Sequence, residues 1–452
     1  MSIATQKFNI VKIILNKSMF DENIINIILQ YYWNILDGKK KILLNWININ
    51  DLNWKVLSKN PNAIELLKER IEYENSLTDK EYNKLEDRDK INWDNLSANP
   101  NAIDLIRERI EYENSLTNEK KKELEVRYNY GLEREWWLNL SSNPNPNAID
   151  LLKENKDKID WWGLSSNPNA IDLIREEKNR FFWCYEFGEK KNLFYWCEVS
   201  KNPNAIDLLK ERVEYENSLT NEKYNQLIYK IDWNRLSLNP NAIDLIRERI
   251  EYEKCLTNEE LDELQNKINW RYLSSNPNAI ELLKENQNKI NWTWLSRNPN
   301  PNAIELFRER IEYENSLTNE ELYQLYNKID WYWLSRNRNA IELLKANQDK
   351  INWTKLSANP NAIELLKANQ DKIDWEVLSA NPNAIDLLKA NQDKIDWEVL
   401  SANPNAIDLL KERIEYEKSL TNEELYQLQN KINRYQLSSN PSIFEDEPMP
   451  TI

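Results

Sequence analysis

Carboxylates and tryptophans are the residues of this chain whose chemistry first suggests catalysis. A glycoside hydrolase works with a pair of carboxylates, and the many tryptophans offer platforms for sugar rings. However, the acids occupy equivalent positions in successive copies of one motif, as Glu65, Asp104, Asp244 and Asp386 do. An acid that recurs at the same place in each copy indicates a solvated helix position, whereas an active site needs a unique constellation. The carboxylates therefore do not predict a hydrolase.

Other residue types that carry chemistry are scarce. The 452 residues include no histidine, which removes the commonest general base and the usual zinc ligand. Glycine occurs only at positions 38, 131, 163 and 188, so neither a G-x-G-x-x-G loop nor a P-loop is present. We therefore expect no enzyme activity, no cofactor and no metal site.

Charge and composition bear on partners and location. The net charge is −15, so a basic footprint for nucleic acid or for an anionic membrane surface is not expected. The apolar run 8–15 is interrupted by Lys12 and lacks a cleavage pattern, so it predicts neither a secretion signal nor a membrane span. The three cysteines have no C-x-x-C spacing, which fits a reducing compartment. We expect a cytoplasmic protein.

A short repeat organises the rest of the chain. Across residues 350–411 the pattern K-I-(D/N)-W-x-x-L-S-A-N-P-N-A-I-(D/E)-L-L-K recurs every 22 residues, beginning at Trp353, Trp375 and Trp397. Self-similarity of this period is typical of solenoids. The motif leucine, once replaced by valine, recurs as Leu57, Leu96, Leu140, Leu164, Val199, Leu236, Leu273, Leu295, Leu334, Leu356, Leu378, Leu400 and Leu437.

The repeat predicts two short helices per unit. Asp374 is placed to cap a helix that carries Trp375 and Leu378, and Asn381-Pro382 favours a second helix that begins at Pro382. Helices this short are unstable alone, so successive units must bury one another's side chains. We predict an all-α solenoid whose core contains Trp54, Trp93, Trp137, Trp161, Trp196, Trp233, Trp270, Trp292, Trp331, Trp353, Trp375 and Trp397.

Some units are extended from 22 to about 37 residues by an insertion after L-L-K. In 309–325 the insertion continues the second helix by two turns, and Thr318 with Glu321 then forms a capping box that begins another helix. Insertions at one point of the unit should protrude from one edge of the solenoid, and such edges are often binding surfaces. The candidate protein-binding residues are Tyr73, Tyr112, Tyr215, Tyr252, Tyr313 and Tyr416.

The two ends and one internal segment depart from the repeat. We predict an N-terminal helical cap over 1–52, the array over 53–433, and a degenerate capping repeat with an acidic tail over 434–452. Arg434 stands where tryptophan is expected, which suggests that the outer face of the last unit meets water, and the tail from Glu445 is expected to be disordered. Between residues 180 and 199 an aromatic stretch suggests a β-hairpin that sets Cys184 opposite Cys197, as a disulfide or as two buried thiols.

Two resemblances follow from these motifs. The string at 375–389, W-x-x-L-S-x-N-P-N-A-I-x-L-L-K, resembles the tandem repeat of uncharacterised proteins of giant DNA viruses of protists. That resemblance implies a viral origin and an α-solenoid, without residue roles. Residues 20–29 resemble a degenerate F-box, a module that docks substrate receptors on ubiquitin ligases. This second resemblance implies that residues 18–36 engage a host Skp1-type ligase component, in the host-cell cytoplasm.

The sequence therefore predicts a scaffold better than it predicts a partner. We expect a monomeric, non-enzymatic repeat protein that binds another protein through the edge built from the insertions. Two alternatives stay open, an F-box-like substrate adaptor for a host ubiquitin ligase and a structural component of a virion.

Overall fold

The computed structural model describes residues 40–128, 135–181, 196–220, 223–224, 227, 230–264 and 266–448, together with Val11, Ile25, Ile28 and Leu29. Within these residues the protein is an all-α repeat solenoid, which confirms the predicted fold class. We number its units 1 to 13 by the motif leucine, from Leu57 to Leu437. Each of these thirteen side chains, Val199 included, is completely buried, so the motif leucine is the centre of the contact between units.

Each unit begins with a helix of one or two turns, which carries the motif tryptophan in units 1 to 12 and Arg434 in unit 13. In eleven of the thirteen units an aspartate or asparagine caps this helix, as predicted for Asp374, whose carboxylate accepts a hydrogen bond from the Val377 N–H at 3.2 Å. These first helices span Trp54–Leu57, Trp93–Ser97, Glu135–Ser141, Trp161–Ser166, Trp196–Val199, Trp233–Leu236, Trp270–Ser275, Trp292–Leu295, Trp331–Arg336, Trp353–Ser357, Trp375–Ser379, Trp397–Leu400 and Arg434–Ser439.

The second helix begins later than the N-P-N motif predicted. In unit 11 it starts at Ile385, after Ala384, and no side chain caps it. The prediction of a start at Pro382 was wrong: the Asn381 Oδ1 does accept from the Asn383 N–H, but this bond closes a turn that precedes the helix. Only in unit 3 does the second helix begin at a proline, which is Pro146, the second proline of the N-P-N-P-N sequence of that unit. The second helices span Ile64–Ser76, Ile103–Asn114, Pro146–Glu154, Ile171–Phe181, Ile206–Asn217, Ile243–Lys254, Ile280–Glu285, Ala303–Ser316, Ile341–Ala346, Ile363–Lys367, Ile385–Lys389 and Ile407–Ser419.

The route to the next unit depends on unit length. In short units a single 3₁₀ turn follows the second helix, at Lys156–Lys158, Gln287–Lys289, Gln348–Lys350, Gln370–Lys372 and Gln392–Lys394. In long units a third helix follows, at Asp79–Tyr82, Asn118–Tyr128, Asn258–Glu263, Asn319–Gln324 and Asn422–Gln427. The predicted capping box of Thr318 and Glu321 is confirmed, and the same box starts the helices after Thr78, Thr257 and Thr421.

The first asparagine of each N-P-N motif joins two units. In unit 11 the Asn381 Nδ2 donates to the carbonyl oxygens of Ser357 and Asn359 in unit 10, at 3.0 and 3.2 Å. Its Oδ1 accepts from the N–H of Asn383. We call this two-carbonyl contact the asparagine rung. It recurs at Asn60, Asn99, Asn143, Asn167, Asn202, Asn239, Asn276, Asn298, Asn337, Asn359, Asn403 and Asn440.

The motif serine makes a second bond between units. The Ser357 hydroxyl donates to the Trp353 carbonyl of its own helix and accepts from the Asp374 N–H of the next unit, at 3.1 Å. The hydroxyl therefore ties the end of one first helix to the start of the next. Because both the serine and the asparagine are buried, water does not compete for these bonds.

The array closes on itself. Asn60 of unit 1 donates to the carbonyls of Ser438 and Asn440 in unit 13, both at 3.1 Å, which is the rung that joins any two consecutive units. The Asn53 N–H likewise donates to the Ser438 hydroxyl at 2.8 Å. Strand β1 (Lys41–Leu43) pairs antiparallel with strand β2 (Phe444–Asp446) across the same junction. The thirteen units therefore form a closed ring.

Closure corrects two expectations about the ends. The outer face of unit 13 does not meet water, because unit 1 covers it, and Arg434 forms an ion pair with Asp51 of the N-terminal segment at 3.2 Å. In the N-terminal segment the described residues Val11, Ile25, Ile28 and Leu29 are helical, and β1 and a 3₁₀ turn at Ile49–Asp51 follow, so the helical cap over 1–52 stays a prediction. In the tail, Glu445 and Asp446 belong to β2. The hydrophobic core consequently runs without interruption from Ile47 to Phe444.

The first helices form the inner face of the ring. Units 10 and 11 allow a direct comparison, because their first and second helices all have five residues. Their first helices pack against each other, whereas their second helices lie farther apart. In a closed ring the elements nearer to the axis are closer to their neighbours. The second helices and the insertions that extend them therefore lie on the outer side.

Ring closure predicts that an engineered disulfide can join the two ends of the array. Lys41 and Asp446 are paired across the β1–β2 ladder, and the Cα separation of such pairs suits a disulfide. We expect K41C/D446C to form an intramolecular disulfide under mild oxidation, seen as a mobility shift on a non-reducing gel. The K41C single variant, which retains the natural cysteines, is the control. An open array would yield no intramolecular product specific to the double variant.

The asparagine rung predicts unequal costs for two neighbouring asparagines. Asn381→Ala leaves the buried carbonyls of Ser357 and Asn359 without donors, so we expect a loss of about 2–4 kcal/mol in local stability. Asn383→Ala removes one bond to the Pro360 carbonyl at an exposed site and should cost about 1 kcal/mol or less. Thermal denaturation and hydrogen exchange of units 10 and 11 would measure both, and equal costs would contradict a special role for Asn381.

Candidate protein-binding edge

The insertions share an Arg-x-x-Tyr-Glu sequence at the end of the second helix. In unit 8 the Arg310 guanidinium lies 5.0 Å from the ring centroid of Trp292 and 4.8 Å from that of Tyr313. The arginine therefore contacts both the buried motif tryptophan and the insertion tyrosine. The same arrangement is formed by Arg70, Arg109, Arg212, Arg249 and Arg413 with the tryptophan and tyrosine of their own units.

The glutamate that follows each tyrosine fixes the arginine. Glu314 accepts from Arg310 Nε at 2.8 Å and also from the Ile329 N–H at 3.0 Å, where the chain returns towards unit 9. The equivalent glutamates bond to both the arginine and the returning backbone in units 1, 5, 6 and 12. A buried carboxylate with two donors thus holds the insertion against its unit.

Burial of this glutamate shifts its pKa in unit 5. Desolvation raises the pKa of Glu216, while the Arg212 charge and the hydrogen bond from the Ile231 N–H oppose that rise. Both side chains of the pair are almost completely buried. Because the paired acid and base already bond to each other and to the backbone, this titratable group serves the structure and is not exposed for chemistry.

An asparagine at the end of the insertion completes the attachment in units 6, 8 and 12. Asn327 accepts from the Trp292 N–H at 2.8 Å and donates to the Ile290 carbonyl at 2.6 Å, while its own carbonyl accepts from Arg310. Asn430 binds unit 12 in the same way. These three insertions therefore fold back on the units from which they leave, so their tyrosines have defined positions.

The predicted tyrosines occupy equivalent, accessible positions. Tyr73, Tyr112, Tyr252, Tyr313 and Tyr416 are each about half exposed, and Tyr215 is partly buried. Further aromatic residues accompany them on the returning segments: Tyr323, Tyr326 and Tyr426 are almost fully exposed, with Tyr326 at 99%. We call the tyrosines of all insertions, with these three, the insertion edge.

Ring closure brings distant insertions together. The insertions of units 1 and 2 are neighbours in sequence, and so are those of units 5 and 6. The insertion of unit 12, by contrast, comes near unit 1 only because the ring is closed. Lys418 of that insertion donates to the Trp46 carbonyl at 3.1 Å. The insertion edge therefore has two arcs, one from units 12, 1 and 2 and one from units 5, 6 and 8.

The motif tryptophans lie in the wall of the ring. Eight of them are buried, and those of units 7, 9, 10 and 11 are partly buried. The four partly buried ones belong to short units, which lack the insertion arginine. In three of these a lysine takes its place over the indole: Lys350 over Trp331, Lys372 over Trp353 and Lys394 over Trp375.

Sequence reasoning found the tyrosines but missed the arginine and glutamate that hold them. The signal was available, because Arg, Tyr and Glu recur at i, i+3 and i+4 in the insertions, which places them on one side of a helix. Within the described residues, no three of His, Cys, Asp and Glu are grouped to hold a metal ion, and no helix has the length and apolar character needed to cross a bilayer.

Two predictions fall largely outside the described residues. Residues 18–36, which carry the F-box resemblance and the proposed contact with a Skp1-type component, are described only at Ile25, Ile28 and Leu29. Cys184 also lies outside them, whereas Cys197 lies on the first helix of unit 5, so its predicted place on a β-strand was wrong. Comparison of the chain with protein-family models, curated proteins and solved structures gave no match. The adaptor, viral-origin and disulfide hypotheses therefore stay predictions.

The site geometry predicts that Glu314 matters more for stability than Tyr313. Glu314→Ala leaves the Arg310 charge without its carboxylate and the Ile329 N–H without an acceptor, so we expect a loss of about 3–5 kcal/mol. Tyr313→Ala removes one half-exposed cation–π contact and should cost about 0.5–1 kcal/mol. Chemical denaturation followed by circular dichroism compares them. A larger cost for the tyrosine would contradict the assigned roles.

Proposed function

We propose that the protein is a non-enzymatic repeat scaffold that binds another protein through the insertion edge. The observation that carries this proposal is the set of half-exposed tyrosines, each held on an arginine at the same point of its unit. Tyrosine is enriched at protein interfaces, where it combines a large apolar ring with a polar hydroxyl. A tyrosine side chain that is already fixed loses little conformational entropy on binding.

The additional tyrosines support the same surface. Large aromatic side chains with nearly complete exposure are costly to leave in water, and Tyr323, Tyr326 and Tyr426 share the insertions with the repeated tyrosines. Tyr323 and Tyr426 lie on third helices that are each held by a capping box, and Tyr326 follows the first of these helices by two residues. The edge thus presents ordered aromatic groups at intervals around the outside of the ring, which suits a partner that contacts several units at once.

Substitution of the repeated tyrosines tests the proposal. We expect Tyr→Ala at Tyr252, Tyr313 and Tyr416 to lower the recovery of specific partners at least tenfold in affinity capture followed by quantitative mass spectrometry. The matched control changes the same three residues to phenylalanine, which retains the aromatic contact with the arginine. This control should recover most of the partner protein. Equal recovery with the alanine and wild-type proteins would refute the insertion edge as the binding surface.

A further inference from the structure

The inner face of the ring carries side chains that the repeat does not prescribe. In the motif W-x-x-L-S-x, the tryptophan, leucine and serine serve the wall, and the three x positions vary from unit to unit. We call these the variable positions. In units 7 to 10 they hold four cations and four aromatic residues and no acid: Arg271, Tyr272, Ser275, Thr293, Trp294, Arg297, Tyr332, Trp333, Arg336, Thr354, Lys355 and Ala358. In units 11 and 12 the same positions hold Glu376 and Glu398, so the basic patch is local.

Four of these side chains form a row in which arginine and tryptophan alternate. The guanidinium of Arg271 in unit 7 lies 4.7 Å from the Trp294 ring centroid in unit 8. Arg297 lies 4.7 Å from the same ring and 4.0 Å from that of Trp333 in unit 9. We call this series of Arg271, Trp294, Arg297 and Trp333 the cation–aromatic ladder. It crosses three consecutive units, and neither the core nor the asparagine rungs require it.

Neighbouring residues hold the ladder in place. Tyr272 meets Trp294 edge to face at 5.3 Å, and Tyr332 meets Trp333 in the same way, also at 5.3 Å. Lys355 of unit 10 lies 4.6 Å from the Tyr332 ring centroid, which extends the row of cations by one unit. Because each indole contacts both a tyrosine and at least one arginine, the guanidinium groups are positioned before any ligand binds.

The arginines of the patch differ from those of the insertions in their partners. In the part of the chain that the structure describes, Arg271, Arg297 and Arg336 form no ion pair with a carboxylate, although the net charge is −15. All three are exposed. The insertion arginines, by contrast, are each bonded to a glutamate. The patch is therefore a row of cations whose N–H groups remain available to an anionic ligand.

We propose that the cation–aromatic ladder binds an extended acidic segment of a partner protein through its carboxylates. A guanidinium stacked on an aromatic ring presents its N–H edge, and that edge matches a carboxylate with two parallel hydrogen bonds. Successive arginines lie in successive units, so the ligand is a chain with several acids and not a single small anion. The ladder is built by first helices, whereas the repeated tyrosines of the insertion edge lie on second helices, so the proposal does not depend on that edge.

The observations favour a peptide over single-stranded nucleic acid. Proteins that bind single strands offer free aromatic faces on which bases stack, but in the ladder Trp294 is contacted by two guanidiniums and Trp333 by one. A polyphosphate backbone also meets stronger repulsion from a strongly acidic protein than a peptide with a few spaced carboxylates does. The carboxylate of aspartate or glutamate is thus the group that the ladder recognises.

Fluorescence anisotropy with defined probes tests this site on the full chain. The probe is a short labelled peptide of alternating glutamate and glycine, and the comparison probes are the same peptide with glutamine and an oligothymidylate of equal charge. We expect binding of the glutamate peptide, at least tenfold weaker binding of the glutamine peptide, and weaker binding of the oligothymidylate. In R271Q/R297Q the affinity for the glutamate peptide should fall about tenfold or more.

A matched control separates local recognition from net charge. Arg107 and Arg247 lie on the second helices of units 2 and 6 in ion pairs with Glu154 and Glu285, so R107Q/R247Q also removes two charges, away from the ladder, and should alter the affinity less than twofold. If R271Q/R297Q does not fold, as judged by circular dichroism, R297K serves instead: it retains charge but loses the planar fork, and should weaken binding several-fold. Tighter binding of the oligothymidylate, no binding of the glutamate peptide, or equal affinities of the wild-type and ladder variants would each overturn the proposal.

Discussion

The asparagine rung is the interaction on which the rest of the structure depends. Apolar contacts between units supply most of the free energy of stacking, but they tolerate sliding and rotation. A planar amide that donates to two carbonyls of the preceding unit restricts both motions. Each rung also satisfies buried carbonyl groups at the end of a first helix, which would otherwise cost about 1–3 kcal/mol apiece. The angle between units is therefore set by hydrogen bonds, and it is repeated at each junction of the ring.

The units divide their residues between three tasks. The motif leucine, alanine and tryptophan form the wall, and the serine and asparagine set its geometry. The insertions add an arginine and a glutamate that cover the tryptophan and bring a tyrosine to the outside. The variable positions of the first helix are left free of these tasks, so they can differ from unit to unit. Binding surfaces are accordingly found where the repeat is extended or unconstrained, and not in the motif itself.

Sequence reasoning was accurate where the determining contacts are local. The spacing of Trp375 and Leu378, the cap at Asp374 and the box of Thr318 with Glu321 all depend on residues within one turn. The N-P-N motif was misread because Asn381 satisfies the local requirements of a helix cap, whereas the carbonyls that its Nδ2 binds, on Ser357 and Asn359, lie in another unit. Arg434 was misread for a related reason, since its partner Asp51 is nearly the whole chain away. Closure depends on the sum of many small rotations, which no single unit specifies.

Closure also constrains the number of units. An open solenoid accepts the gain or loss of one repeat at little cost, because only its length changes. In this ring, thirteen junctions share a full rotation, about 28° at each. An additional copy of the 22-residue unit would require every junction to turn by about 2° less, or one junction to open. The nearly identical units around Trp353, Trp375 and Trp397 indicate recent duplication, so the copy number of this array is a geometric property that duplication must respect.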